Sequence, residues 1–436
     1  MDDLQGFLPL THTAAPADQA AVAVAVREAC AAETPIYPIG GGTTLEYGAR
    51  PSRPGVGLSL ANLTRIVDYP ADDLTITVEA GLTIAALQQQ LAAQRQRLPI
   101  DVAQPERATI GGVVATALAG PRQYACGTIR DYLLGLSAVD GQGCAFNAGG
   151  RVVKNAAGYN LCRLMAGSLG TLAVVTQVTL MARPLPETSA LVACDVPSFD
   201  AAERLLDALN RSEILPAAVE LLAGSLGPDG RMLGPPAPSC VARLIAGFEG
   251  ARSEVQWMAD QLVGQWRAAG ISSVSEIFDA DAASVWRELT DFPAELEIRV
   301  PPSRTAALIG QLLQWQPAAA IQAHAGNGVV RARVGGDGFV ELLTKARQAA
   351  SAVGGNAVVL APPKTLSQDL PPSPPTPLPP AGEGRLETAS NRSGRTLSAR
   401  DIWGPPGEGF GLMRAIKERF DPHGLLNPER FVYEIQ

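Results

Sequence analysis

The chain has 436 residues, 46% of them hydrophobic and 18% charged, with a formal net charge of -8. That length predicts two or three domains with proper cores, and the dispersed acidic balance excludes a basic surface for nucleic acid or an anionic membrane. Glycine (44) and proline (35) exceed ordinary usage, so the chain is rich in turns.

The six cysteines, at 30, 126, 144, 162, 194 and 240, include no C-x-x-C pair, which argues against a disulfide framework or iron–sulfur ligation. Met1-Asp2-Asp3 begins the chain without a basic or apolar leader, so a cytoplasmic protein with reduced thiols is expected. The uncharged run from Leu164 to Ala182 reaches transmembrane length. Its nearly alternating Thr, Ser and Gln read instead as a turn and a strand.

In chain order, residues 17–31 carry the apolar spacing of a helix, and 35–39 read as a strand running into Pro38-Ile39-Gly40-Gly41-Gly42-Thr43-Thr44. Three glycines in one turn let backbone N–H groups converge on an anion. No Lys-Ser/Thr pair closes the loop and no G-x-G-x-x-G is present, so it is neither a Walker A nor a dinucleotide turn. Short strands follow at 58–60 and 66–68. Residues 74–79 alternate as a half-buried strand, and Thr83 caps a helix whose apolar face is Ile84, Leu87, Leu91 and Leu98.

A second glycine-rich region, Pro105 to Asp140, contains A-T-I-G-G-V-V-A-T and C-G-T-I-R-D before a strand and hairpin at 136–143. A third, Lys154 to Pro184, contains A-G-S-L-G-T-L-A-V-V-T. Together with the first loop, over residues 15–185, these motifs resemble the FAD-binding domain of the vanillyl-alcohol oxidase and para-cresol methylhydroxylase (PCMH) family. The resemblance implies that Pro38, Ile39, Gly40, Gly41, Gly42, Thr43, Thr44 and Gly48 hold the FAD pyrophosphate. It also implies that Pro105, Thr109, Ile110, Gly111, Gly112, Ala115, Thr116 and Gly120 follow the ribityl and flavin. Gly127, Arg130, Asp131, Gly167, Gly170, Thr171 and Val174 are then expected near the rest of the cofactor. None of the three histidines, His12, His324 and His423, lies beside these loops, and Cys126 reads as a small buried thiol. Non-covalent FAD is expected.

After Arg183-Pro184-Leu185-Pro186 glycine density falls. Strands at 191–196, 217–222, 240–248, 295–300, 319–324, 329–334 and 357–360, an extended stretch at 271–278, and helices at 201–209, 254–269, 283–289, 305–315 and 340–353 predict a cap of two split βαβ units sharing an antiparallel sheet. The fold class is therefore α+β: a PCMH-type FAD-binding domain at 1–185 and a ferredoxin-like cap at 186–363. Residues 364–399 form a Pro-rich insertion that cannot build a core, and 400–436 return to the FAD-binding domain with a helix at 412–420.

Flavin oxidation of a 2-hydroxy acid asks the protein for a base, a cation for the carboxylate and an aimed α-hydrogen. The cap's only histidine is His324, in A-H-A-G-N-G-V-V-R. In related glycolate and D-lactate dehydrogenases the matching stretch reads H-x-G-D-G-N-x-H and belongs to a metal-assisted site. Here Asn327, Val329 and Arg331 replace the Asp, Asn and second His, so no metal is expected. Either His324 serves as base with Arg331 or Arg299 on the carboxylate, or the cap has lost the chemistry. The short cap, R-V-V-K-N-A-A-G-Y-N-L and W-G-P-P-G resemble the smaller FAD-binding subunits of bacterial glycolate oxidases. That resemblance implies a larger FAD-binding partner subunit, an iron–sulfur subunit, a small hydroxy acid substrate, no nucleic acid, and at most peripheral membrane association through the complex. A self-sufficient hydroxy-acid dehydrogenase and a non-redox scaffold with a vestigial flavin fold are the alternatives.

Overall fold

A computed structural model describes residues 7–150, 159–225, 236–336, 338–363 and 397–430. Residues 364–396 of the Pro-rich insertion and 151–158 of the R-V-V-K-N-A-A-G motif lie outside the described residues.

The first part is built on two sheets. Strands Leu10–Ala14, Gly55–Ser59 and Ile36–Ile39 run parallel, in that spatial order. The connecting helix Gln19–Ala31 starts where the Asp18 carboxylate accepts the Ala21 N–H at 2.8 Å. An antiparallel sheet orders Ile66–Asp68, Thr75–Glu79, Ala173–Met181, Leu133–Asp140 and Ala145–Gly149. Thr75–Glu79 is buried on both faces rather than half-buried, because it is paired on both edges and its polar groups are satisfied: Thr77 and Thr179 hydroxyls meet at 3.0 Å, and Glu79 accepts from Arg65 Nη2 at 2.7 Å.

Thr83 caps the next helix, Oγ1 accepting the Ala86 N–H at 3.3 Å. The helix ends at Ala92, so Leu98 is not on it. The chain turns at Arg95 (φ 54°), and Leu98 enters the same core from the strand Gln96–Arg97. Thr109 caps a second helix, Ile110–Thr116, which lies hard on the sheet. A Cβ at Gly111 would stand 2.8 Å from Ala80 Cβ, so that glycine answers a packing need.

The cap is one eight-stranded antiparallel sheet, ordered Val274–Phe278, Thr188–Val196, Ala242–Gly250, Ala218–Gly224, Ala320–His324, Val329–Arg333, Leu296–Arg299 and Asn356–Val359. Read along the chain, this is two βαββαβ units joined edge to edge, with bounds within a few residues of those expected. Helices Phe199–Asn210, Arg252–Ala268, Thr305–Trp315 and Phe339–Ser351 cover its apolar face, where Val192, Leu221, Leu244, Ile321 and Val330 form the larger core. Helix Asp279–Thr290 covers part of the other face through Trp286 and Leu289. The remainder of that face carries Glu220, Gln322, His324, Glu297, Arg331 and Arg333, at alternate positions in register.

Leu397 is buried in the cap core, and Ser398 caps the helix Ala399–Trp403. Helix Phe410–Phe420 then returns the chain to the first part, where Ile36 and Leu426 form a parallel bridge and Asn427 N donates to Ile36 O at 2.7 Å.

Candidate functional site

Strand Ile36–Ile39 delivers the glycine loop to a cavity of about 510 Å³ between the first part and the polar face of the cap. Its walls come from Pro38 and Gly40–Tyr47, from 101–104, from one side of helix Ile110–Thr116, from Leu118–Gly120, from Thr290 and Phe292–Glu295, and from Arg331, Arg333, Asn427 and Arg430.

Gly41, Gly42, Thr43 and Thr44 border this space, and their backbone N–H groups make no hydrogen bond among the described residues. Donors left open around a cavity suit a diphosphate. Gly40 and Gly41 let the loop lie against the 107–109 turn: a Cβ at Gly41 would sit 1.7 Å from Arg107 O, and one at Gly40 2.3 Å from Thr109 Oγ1. The loop's other flank is held from the far end of the chain. Arg430, 6% exposed, donates to Leu45 O and Tyr47 O at 2.8 Å each, and burial lowers its pKa to about 10, with Tyr37 opposing the shift. Asn427 Nδ2 donates to Leu169 O at 2.6 Å. Burial, then the Glu297 charge, raises the Tyr47 pKa to about 12, so its hydroxyl stays protonated at neutral pH.

Of the residues expected to hold cofactor, Pro38, Gly40, Gly41, Gly42, Thr43, Thr44, Thr109, Gly112, Ala115, Thr116 and Gly120 border the cavity. Ile39, Ile110, Gly111 and Val174 face the core. Gly48 turns the chain at φ 104° against Arg430 O, and Thr171 is buried with its hydroxyl on Ser168 O. Pro105, Gly127, Arg130, Asp131, Gly167 and Gly170 do not border the cavity. Arg130 donates to Ala166 O at 3.2 Å, and Asp131 closes a capping box with Thr128. Cys126 also stands off the cavity, its carbonyl accepting the Tyr132 hydroxyl at 2.5 Å.

The three expected catalytic residues are not brought together in the cavity. His324 is 1% exposed, its Nδ1 stands 2.7 Å from Glu220 Oε1, and its Nε2 has no partner. Tyr124 packs over the adjacent Gly326, where a Cβ would meet the ring at 2.3 Å. Arg331 does border the cavity, but its guanidinium donates to Glu297 Oε2 at 3.1 Å and to Ala119 O at 2.5 Å. Arg299 lies outside, its guanidinium largely exposed and bonded to Glu297 Oε1 at 2.8 Å. Burial disfavours the Glu297 carboxylate, yet Arg331 and Arg299 outweigh it and hold the pKa below the usual value. Among the described residues no group of three or more His, Cys, Asp or Glu could hold a metal ion, and no helix is long and apolar enough to cross a membrane.

Sequence reasoning missed Tyr47, Asp101, Arg333, Asn427 and Arg430 as cavity residues. Asp101 lay in an apolar–polar stretch without a motif. The last two come from a tail expected to return, and only its docking shows which side chains reach the loop.

The FAD binding domain family matches residues 10–161, and the FAD linked oxidases, C-terminal domain family matches 405–431. D-2-hydroxyglutarate dehydrogenase of Xanthomonas citri pv. viticola is 30% identical over 424 residues, 93% of this chain and 86% of that one. The glycolate oxidase subunit GlcE of Escherichia coli is 37% identical over 165 residues, 38% of this chain and 47% of the subunit. D-lactate dehydrogenase of Archaeoglobus fulgidus is 35% identical over 188 residues, 43% of this chain and 42% of the enzyme. The match therefore spans less than half of each of these two relatives. Among solved structures, alkyldihydroxyacetonephosphate synthase superposes with a TM-score of 0.67 at 16% identity, over 95% of this chain and 75% of that one, which shows a shared fold. With open loop donors around a cavity of fitting size and a relative similar across almost its whole length, the chain belongs to the FAD-linked oxidase family of PCMH-type fold, and FAD is its cofactor.

Proposed function

We propose that the chain is the FAD-carrying subunit of a complex that oxidises glycolate to glyoxylate and passes the electrons to an iron–sulfur partner, beside a larger flavin subunit. One observation carries this reading: the groups expected to act on a hydroxy acid are turned away from the cavity or held by other protein groups. His324 is buried against Glu220 away from the cavity, and Arg331 is held by Glu297 and Ala119 O. The partial likeness to GlcE supports it. Gly40–Thr44 would hold the pyrophosphate, and the cavity side of helix Ile110–Thr116 would lie along the rest of a non-covalent FAD, which supplies the two-electron acceptor. Any membrane contact would be peripheral and made through the complex.

A second reading, a self-sufficient dehydrogenase of a small 2-hydroxy acid, is favoured by two observations. The full-length relative is a 2-hydroxyglutarate dehydrogenase, and Arg333, paired through its backbone with Ala320, borders the cavity with a guanidinium that makes no hydrogen bond or ion pair among the described residues, a cation open to a carboxylate. His324 would then be the base. The purified chain separates the two. If it is yellow and stays yellow when glycolate, D-lactate or D-2-hydroxyglutarate is added without oxygen, the subunit reading stands. Bleaching by any of them overturns it in favour of the second, and a colourless chain that takes up no FAD overturns both.

A further inference from the structure

Between the cavity and the cap lies a buried quartet of two cations and two carboxylates. Arg122 N donates to Asp101 Oδ2 at 2.6 Å and its Nη1 pairs with Asp101 Oδ1. The same guanidinium reaches Glu249 Oε1 from Nε at 2.9 Å and from Nη2 at 2.8 Å, and Arg97 Nη1 stands 2.8 Å from Glu249 Oε2. The plane of Arg122 lies over the Trp286 ring, 4.1 Å from its centroid. The side chains of Asp101, Glu249 and Arg122 are 1%, 5% and 18% exposed.

The four groups divide between the two parts. Glu249 and Trp286 belong to the cap, on strand Ala242–Gly250 and helix Asp279–Thr290, whereas Arg97, Asp101 and Arg122 belong to the FAD-binding part. Asp101 and Gly120 border the cavity, and they touch: a Cβ on Gly120 would stand 2.4 Å from Asp101 Cβ. Because Asp101 accepts from both the backbone and the side chain of Arg122, the 101 and 120–122 segments are bound to each other. The guanidinium on the opposite side binds the cap.

We propose that Arg122 is a positioning residue through which docking of the cap sets the cavity wall against the FAD. Apolar contacts tolerate sliding, but a desolvated guanidinium bridging two carboxylates has a narrow optimum, and Lys cannot reproduce its planar fork. Displacing the cap strips Glu249 from Arg122 and leaves buried charge uncompensated, so the wall relaxes with it. Glu249 does not border the cavity, which makes it the remote handle of the device.

The test uses the full chain with FAD and the variants Glu249→Gln, Arg122→Gln, Arg122→Lys and the Glu249→Gln/Arg122→Gln pair. FAD dissociation constant, visible spectrum and midpoint potential of the bound flavin are measured alongside circular dichroism. Glu249→Gln, a near-isosteric change outside the cavity, is expected to weaken FAD at least threefold and shift the flavin band. Arg122→Gln is expected to weaken it at least tenfold, with Arg122→Lys between, and the pair to be no worse than Arg122→Gln. Wild-type binding of FAD tests the assignment of the cavity separately. If Glu249→Gln lowers only thermal stability, with FAD affinity, spectrum and potential those of wild type, the quartet is merely structural and the proposal fails. It fails equally if the two single effects on affinity multiply in the pair.

Discussion

Replacing Gly41 by Ala tests whether the glycine loop is where FAD is held. The added methyl would lie 1.7 Å from Arg107 O, 2.6 Å from Arg107 C and 3.2 Å from Ala108 N, all backbone atoms that cannot rotate away. Ordinary contact begins near 3.4 Å, so the two segments must part by about half of that. The opposing turn resists. Arg107 N and Ala108 N both donate to Gln104 O, and Ala108 O accepts from Ile84 N at the start of the preceding helix, Ile84–Ala92. Overpacking costs about 1–3 kcal/mol, and rigid backbone on backbone belongs at the upper end, about 2–3 kcal/mol. If that strain falls on the geometry that binds the diphosphate, FAD affinity drops by a factor of roughly 30 to 150. Flavin fluorescence titration of the apoprotein measures it, with Gly407→Ala as control, since nothing lies within 4 Å of that Cβ. An affinity for Gly41→Ala within about twofold of wild type would refute the placement of the loop against the cofactor.

Three further outcomes follow from the same geometry. Lys417 Nζ is buried, donating to Thr171 O at 2.6 Å and Leu426 O at 3.1 Å and pairing with Asp421. Lys417→Met should therefore cost about 3–5 kcal/mol in urea unfolding and speed proteolysis of the C-terminal tail; an unchanged midpoint counts against the tail's anchoring. Glu297, whose pKa lies below the ordinary 4.5 in the folded chain, binds more protons unfolded than folded, so its stabilisation is complete above about pH 4.5 and is lost as pH falls through the folded value. Wild type should thus lose stability over that acid window relative to Glu297→Gln, and parallel pH profiles for the two would contradict the pairing. Asn427 sits at φ 45° and bonds Leu169 O. Asn427→Ala should cost about 1–3 kcal/mol, and Asn427→Gly should recover only the backbone share, as thermal unfolding of both can show.

Local chemistry was legible where it is local. Thr83 announced the helix it caps, because a side-chain oxygen three residues before an N–H needs no partner from elsewhere. The cap's strand and helix periods predicted two split βαβ units, and the antiparallel register follows from them. Position was less legible where a period is ambiguous. Alternation in 74–79 suggested one wet face, but pairing on both edges and the partners of Thr77 and Glu79 allow both faces to be buried. Leu98 continued a helical spacing that a left-handed turn at Arg95 had already ended.

The sequence by itself determined the fold class and the cofactor through a resemblance, because the glycine loop, the A-T-I-G-G segment and the G-S-L-G-T turn match the motifs of one family in residue type and order. What only the tertiary structure decided is the fate of the chemical groups above them. His324, Arg331 and Arg299 read alike as candidates along the chain, yet they part company once Glu220, Glu297 and Ala119 O, each distant in sequence from the group it binds or brought close by strand register, are folded against them. Whether a side chain is free for a ligand is a property of its neighbours, and the glycine loop that began as a bare turn acquires its walls from Asn427 and Arg430 at the other end of the chain.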